Sequence, residues 1–331
     1  MDALTTGVVI ALLAVLVAEF VNGWTDAPNA IATVVSTGVM TPRAAILMAV
    51  VLNTLGAMSG TAVATTVGQG IVAPGAMTIP AIAAAMVAII AWGTMAAKLG
   101  IPVSKSHALL AGLAGAGFAG GGWEALQWEG WLKVGIGLVC SIGIGFVAAL
   151  LLVRVIIRVA ANASPHRAKR TFDYLQMGSA AFMAFNHGLN DGQKFMGVFA
   201  LTLLAGGVTS EFAIPWWVIL ICAATMGLGT SAGGWRIIAT IGSKMARLTS
   251  WQGFAATAAA STTIFGASLY GVPLSTTHTI TSAIVGVGAG KRASDVRWGV
   301  LRRIAMAWVL TFPSCALIAY GAALVANRLW A

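Results

Sequence analysis

The chain has 331 residues, 59% of them hydrophobic and only 8% charged, with 40 glycines and a formal net charge of +10. Soluble domains carry about 25% charged residues, so the composition excludes a soluble globular domain and points to an integral membrane protein. The cations lie in short loops between apolar segments, which reads as topology control and excludes a nucleic-acid surface.

Apolar stretches near residues 4–21, 44–67, 79–97, 132–153, 214–228, 254–269 and 304–326 are predicted to be membrane segments. Met1–Gly7 has no basic stretch, so the first of them is expected to be retained rather than cleaved. The ten-residue alternation of a β-barrel is absent from the sequence. Cys140, Cys222 and Cys315 each lie inside an apolar run, far from one another. That is the pattern of small buried hydrophobes, not of a metal or disulfide set.

Polar islands interrupt the apolar sequence in matching places. Phe20-Val21-Asn22-Gly23-Trp24-Thr25-Asp26-Ala27-Pro28-Asn29 resembles Phe185-Asn186-His187-Gly188-Leu189-Asn190-Asp191-Gly192-Gln193-Lys194, with Asp26 and Asp191 in register at an offset of 165. A carboxylate near the bilayer centre costs roughly 2.5–3.5 kcal/mol on insertion scales, and bearing that cost twice implies use. Gly100-Ile101-Pro102-Val103-Ser104-Lys105-Ser106-His107 matches Gly271-Val272-Pro273-Leu274-Ser275-Thr276-Thr277-His278 at an offset of 171, and Gly115/Gly286 and Gly117/Gly288 keep that register. A weaker third match sets Gly60, Thr66 and Gly68 on Gly234, Thr240 and Gly242. The chain therefore divides into a first repeat over 1–160, a basic linker over 161–171 and a second repeat over 172–331.

Loop charge orients the repeats. Arg154, Arg158, His166, Arg167, Lys169 and Arg170 place the linker in the cytoplasm. Residues 119–132 contain Glu124 and Glu129 and no Lys or Arg, whereas 290–303 contain Lys291, Arg292, Arg297, Arg302 and Arg303. Arg43 faces Glu211 in the equivalent loop, and residues 68–78 lack cations where their counterpart has Lys244 and Arg247. Opposite bias in equivalent loops means oppositely inserted repeats and an odd number of crossings in each. About five fit, ten to twelve membrane segments in all, with both termini outside. The expected fold is an all-α polytopic membrane protein of two inverted-topology repeats with broken or re-entrant helices, the architecture of secondary transporters.

Each proline island precedes a short glycine-rich stretch, 108–118 or 279–289, and reads as the N-terminus of a broken helix. Two such N-termini, with Ser104, Ser106, Ser275, Thr276 and Thr277 as hydroxyl donors, suit a tetrahedral oxyanion. Asp26 and Asp191 make sense beside it as cation ligands, with Thr25, Asn29, Asn190 and loop carbonyls as neutral oxygens, or as proton carriers. His107, His187 and His278 are supporting residues. Glu19 either tunes the cation site or pairs with a cation elsewhere.

These islands resemble the inorganic phosphate transporter (PiT) family, whose duplicated Gly-x-Asn-Asp-x-x-Asn-Ala type motif corresponds to Gly23–Ala30 and Gly188–Phe195. The resemblance implies symport of phosphate with Na⁺ or H⁺ and no further cofactor. It also implies phosphate held between the Ser/Thr helix ends, with Asn190 as a further donor, in a plasma-membrane protein that is commonly a dimer. The chain departs from the motif at Thr25, which replaces an Asn, at Lys194, which stands opposite Asn29, and at Lys105, opposite Thr276. Lys194 is expected to stand in for one coupling cation. Lys105 is expected either to touch phosphate or to lie at the cytoplasmic mouth. Sulfate transport, an intramembrane hydrolase and a channel are the competing readings; the hydrolase is disfavoured because the Asp and His positions are duplicated, whereas catalysis needs unlike residues in unlike roles.

Overall fold

The computed structural model describes residues 3–291, 294 and 296–330. Met1 and Asp2 of the N-terminal stretch and Arg292 of the basic loop lie outside the described residues. The first half contains α1 (Ala3–Asp26), α2 (Pro28–Ser36), α3 (Pro42–Ala57), α4 (Ala62–Gly70), α5 (Ile79–Leu99), α6 (Lys105–Gly121) and α7 (Trp128–Val159). The second contains α8 (Pro165–His187), α9 (Gln193–Ala205), α10 (Trp216–Ser231), α11 (Trp235–Ala239), α12 (Ser250–Leu269), α13 (Thr276–Lys291) and α14 (Trp298–Trp330). Pro165 starts α8, so of the stretch expected as a linker over 161–171 only the part before Pro165 lies outside helix.

The same irregularities recur in the same order. Pro28 separates α1 from α2 just after Asp26, and a π-helical turn over Gly188–Gly192 carries Asp191 between α8 and α9. The apolar run 44–67 is not one straight helix. It bends by 67° between α3 and α4, and its counterpart bends by 64° between α10 and α11. Gly100 at φ 68° and Gly271 at φ 65° turn the chain between α5 and α6 and between α12 and α13, a left-handed backbone that glycine adopts without strain. Among the described residues there is no β-strand. Two isolated bridges, Val72–Leu126 and Ala246–Val296, occupy equivalent loops.

These bridges show where the loops gather. Arg297 N donates to Met245 O at 2.9 Å, and Ile156, Lys169, Phe172, Thr249 and Trp251 line one cavity. The helix ends and loops carrying Arg154, Arg158, Arg167, Lys169, Arg170, Lys244, Arg247, Lys291 and Arg297 thus share one end of the molecule. At the other end Ala73 N donates to Ala125 O at 2.8 Å, and Thr78 Oγ1 donates to Asn327 Oδ1 at 3.4 Å near the end of α14. Val8 of α1 packs there with Ile79.

This changes the expected count of crossings. The path α1–α2, α3–α4 and α7 traverses the molecule three times, and α8–α9, α10–α11 and α14 do the same in the second half. The pairs α5–α6 and α12–α13 instead fold as hairpins that return to the end they left, α5–α6 at the acidic end and α12–α13 at the basic one. Ten segments remain, five in each half, but two of each five make a hairpin rather than two crossings. Four helical runs, Thr6–Ser36, Ile79–Leu99, Trp128–Val159 and Trp298–Leu329, are long and apolar enough to cross a membrane, and the two bent pairs qualify when each is taken together. Leu132, Val139 and Leu151 on α7 and Val309, Leu317 and Val325 on α14 are exposed, as lipid contact requires. Trp123, Trp128, Trp216 and Trp298 stand exposed near helix ends, where interfacial tryptophans sit.

Packing interleaves the halves. One core cluster draws chiefly on α1, α4, α5 and α6 with α9, α10 and α14; the other draws on α8, α11, α12 and α13 with α2, α3 and α7. Each hairpin's second arm lies against the last helix of the opposite half. An added Cβ at Gly115 of α6 would stand 2.1 Å from Ala316 O of α14, and one at Gly286 of α13 would stand 2.3 Å from Phe146 O of α7. Small residues let backbones approach this closely, which is how helices associate where lipid removes the hydrophobic drive.

Substitution tests that seam. Gly286→Ala should destabilise the protein by about 1–3 kcal/mol, the usual range for overpacking. Gly143→Ala, on the open face of α7 where nothing lies within 4 Å, should leave the melting temperature in detergent unchanged. Equal melting of both variants with wild type would refute the tight α13–α7 contact.

Candidate functional site

Helix breaks bring the four islands together in the middle of the bundle. From Asp26, α2 runs nine residues to one end; from Asp191, α9 runs 13 residues to the other. At 1.5 Å per residue these are about 14 and about 20 Å. The two carboxylates therefore lie deep between the ends, and both are buried.

Each aspartate holds a lysine. Lys105 Nζ lies 3.3 Å from Asp26 Oδ1, and Lys194 Nζ is bound to Asp191 Oδ1 while also donating to Ser106 Oγ and Leu274 O, both at 2.6 Å. Both lysines are at most 2% exposed. Lys105 is therefore not at a cytoplasmic mouth, the alternative that its sequence position left open. Its stem passes Gly93 of α5, where an added Cβ would stand 2.8 Å from Lys105 Cε.

The hydroxyls repeat a reciprocal pattern. Thr276, which occupies the position of Lys105, donates to Asp191 Oδ2 at 2.6 Å, so each hairpin tip reaches the aspartate of its own half. The next residue crosses over: Ser106 Oγ donates to Asp191 Oδ1 at 3.4 Å and Thr277 Oγ1 to Asp26 Oδ2 at 3.3 Å. Asn29 Nδ2 donates to Thr277 Oγ1 at 2.9 Å and to Thr276 Oγ1 at 3.3 Å, as its counterpart Lys194 donates to Ser106. An approximate two-fold axis thus runs through the site. What differs between the halves is charge.

His187 fixes one side of the cluster. Its Nε2 lies 3.2 Å from Asp191 Oδ2 and its Nδ1 3.2 Å from Asn53 Oδ1. Asn53 Nδ2 donates to Thr230 Oγ1 at 2.9 Å, and that hydroxyl donates to Met226 O at 2.9 Å. With Asn53 so oriented, its Oδ1 accepts from His187 Nδ1, which leaves Nε2 as the ring nitrogen turned to the carboxylate. Nε2 of His187 and carboxylate oxygens of Asp26 and Asp191 all lie within 4.8 Å of one another, close enough for one small cation to touch all three.

Other expected site residues lie outside this inner cluster. Ser104 and Ser275 act as helix N-caps, accepting from His107 N at 3.1 Å and His278 N at 3.2 Å. Thr25 Oγ1 donates to Val21 O at 2.7 Å and lies 3.4 Å from Asp26 Oδ1. Asn190 turns away, donating to Ser268 Oγ at 2.8 Å and Val272 O at 3.3 Å. His107 and His278 meet each other with ring centroids 4.6 Å apart, and His278 also packs on Trp308 at 3.7 Å. Glu19 is buried seven residues before Asp26 and accepts from Asn22 Nδ2 at 3.3 Å. Sequence reasoning missed Asn53, whose amide inside the apolar run 44–67 was the available signal, and Leu274 O, which no side chain announces.

The chain is similar to known proteins over nearly its whole length. Residues 22–319 match the model of the phosphate transporter family. A protein of Rhizobium meliloti described as a probable low-affinity inorganic phosphate transporter is 45% identical over 322 residues, covering 96% of each chain. One of Bacillus subtilis with the same description is 38% identical across the whole of both chains. A solved structure described as the sodium-dependent phosphate transporter superposes with a TM-score of 0.89 at 24% identity, covering 98% of this chain and 99% of that one, and so shares the fold. The chain belongs to the phosphate transporter family.

Proposed function

We propose that this protein carries inorganic phosphate across the membrane by symport with a cation, Na⁺ or H⁺. The observation that carries the reading is the convergence of two helix N-termini, two lysines and two aspartates in one buried cluster. A phosphate at the starts of α6 and α13 would meet the Ser106, Thr276 and Thr277 hydroxyls, helix N–H groups and the ammoniums of Lys105 and Lys194. Ser104 and Ser275, as caps, hold those helix ends in shape, and Asn190 holds the turn after α12.

Coupling follows from the lysines. Each ammonium neutralises an aspartate, and phosphate competes for the same ammoniums. As a lysine turns to phosphate, its carboxylate is left without a counter-charge in a buried site, and a cation must replace it. Asp26, Asp191 and His187, with Asn29 and Thr25 as neutral oxygens, are the groups for that cation. Anion and cation then each raise the affinity for the other, and the linkage is reciprocal. Lys194 supplies one fixed positive charge where the family motif has an asparagine.

The two opposed hairpins meet at the site, which suits alternating access by movement of one set of helices against the other. The division into repeats over 1–160 and 172–331 is supported by the recurrence, in the same order, of the helix breaks, bends, glycine turns and bridges. The basic loops, gathered at one end, lie in the cytoplasm of this reading. Val8 and Asn327 lie at the opposite end, so both termini face outward across the plasma membrane. A homodimer is the assembly that the family resemblance implies.

Hydrogenphosphate can donate a hydrogen bond to a carboxylate and sulfate cannot, so sulfate should compete poorly for uptake of radiolabelled phosphate into proteoliposomes. Sulfate inhibiting as well as unlabelled phosphate would refute phosphate selectivity. Asp191→Asn leaves Lys194 buried without its partner and should lose about 3–5 kcal/mol of stability, whereas Asp191→Asn with Lys194→Met should recover much of that in a detergent melt. Neither should accumulate phosphate under an imposed gradient. Robust accumulation by the double variant would remove this pair from the mechanism. Lys194→Asn should raise the number of cations moved per phosphate, and an unchanged ratio would show that the lysine is no surrogate.

A further inference from the structure

The coupling reading leaves one buried acid unused. Glu19 is 0% exposed on α1, one turn before Asn22, which is 1% exposed. Asn22 Nδ2 donates to Glu19 Oε2 at 3.3 Å, yet Glu19 Oε1 and Asn22 Oδ1 both lack a hydrogen-bond partner. Two adjacent buried acceptors without a donor are the arrangement that a proton or a cation completes.

Helices α5, α9 and α10 pack against α1. Lys194 of α9 and Asp191 of the π-helical turn act on Glu19 electrostatically, and Glu19 acts in turn on the Cys222 thiol of α10. Lys194 is already engaged by Asp191, Ser106 and Leu274 O. The titratable side chain of α5, Lys98, lies in its last turn, beyond Gly93, which packs on Val21. Glu19 forms no salt bridge with any described residue. A hard metal ion needs a shell of about six oxygens, and the two free oxygens here fall far short. A proton needs one carboxyl oxygen and one acceptor, and both are present.

The acid is also not a demand of the fold. At the offset that sets Asp26 on Asp191, Glu19 falls on Ala184 and Asn22 on His187. The second half builds the same helix with alanine.

We propose that Glu19, with Asn22 as its acceptor, is a proton-binding site separate from the lysine–aspartate cluster, loaded and emptied once in each transport cycle. The inference rests on the phosphate-symport reading and names the proton as a coupling ion. Binding puts a proton on Glu19, together with phosphate in the site, from the side of higher proton activity. Release returns it to water on the other side, with no other bond made or broken.

The test is uptake and exchange of radiolabelled phosphate in proteoliposomes. Wild type should accumulate phosphate under an imposed pH gradient. Glu19→Gln should lose that accumulation by tenfold or more (tenfold is about 1.4 kcal/mol), yet still exchange internal for external phosphate. Glu19→Asp should regain driven uptake. Undiminished pH-driven accumulation by Glu19→Gln would overturn the proposal, as would wild-type accumulation driven by Na⁺ alone. Infrared spectroscopy gives a readout independent of transport: wild type should show a protonated-carboxyl carbonyl band that changes on adding phosphate and that Glu19→Gln lacks. A missing band, or one shared by the variant, overturns the proposal even if the variant transports nothing. Absence of any phosphate exchange by wild type would instead defeat the phosphate reading, a different outcome from the loss of driven uptake alone.

Discussion

Two carboxylates and two ammoniums held together away from water are the constraint on which this structure depends. Either sign alone would be too costly to bury, and the pairs are tolerated because each charge has a partner in contact. The fold supplies the partners through its helix breaks. Pro28 and the π-helical turn stop two long helices beside their aspartates, and Gly100 and Gly271 turn two hairpins so that helix N-termini arrive opposite. Irregular backbone at such depth survives only where protein encloses it, and here hydroxyls and lysines satisfy it.

Interleaving explains why the site sits where it does. Neither half owns a complete core, since each cluster needs helices from the other half. The hairpin tips meet on the approximate axis for the same reason: the bond from Ser106 to Asp191 has its mate in that from Thr277 to Asp26, and the bond from Asn29 to Thr277 has its mate in that from Lys194 to Ser106. Backbone contacts such as Gly286 on Phe146 O and Gly115 on Ala316 O bind the arms of the hairpins to α7 and α14. Each hairpin is thereby tied to a helix of the opposite half.

Much of this was legible in sequence because duplication leaves two readings of every feature. The offsets of 165 and 171 located the aspartates and the proline islands, and the structure brings these together. Loop charge separated the ends correctly, since Lys244 and Arg297 do gather away from Glu124. Length could not distinguish a crossing from a hairpin arm: α5 has the 21 residues of a span, and only the bridge between Val72 and Leu126 shows α6 returning to its starting end. Orientation of side chains was equally hidden. Asn190 adjoins Asp191 in sequence, but one residue along a helical turn is enough to point it at Ser268. The burial of Lys105 depends on the room left at Gly93, twelve positions earlier on another helix.

Symmetry also shows where to look for direction. Two repeats inserted oppositely and identical in chemistry would make inward-open and outward-open states equal in energy, so any preference must come from positions where the halves differ. Three of those positions, in or near the site, carry a lysine or an acid in one half and a neutral residue in the other. Lys105 faces Thr276, Lys194 faces Asn29, and Glu19 faces Ala184. Lys105 binds its own half's aspartate through charge, where Thr276 uses a neutral hydroxyl. On the phosphate-symport reading proposed above, opening the bundle beside Asp26 wets a carboxylate that holds a lysine and Thr277. Opening it beside Asp191 wets a carboxylate that also holds a threonine, a histidine and a lysine from its own helix. On that reading, any difference between the two openings must come from side chains that break the repeat, and these three are the charged ones in or near the site.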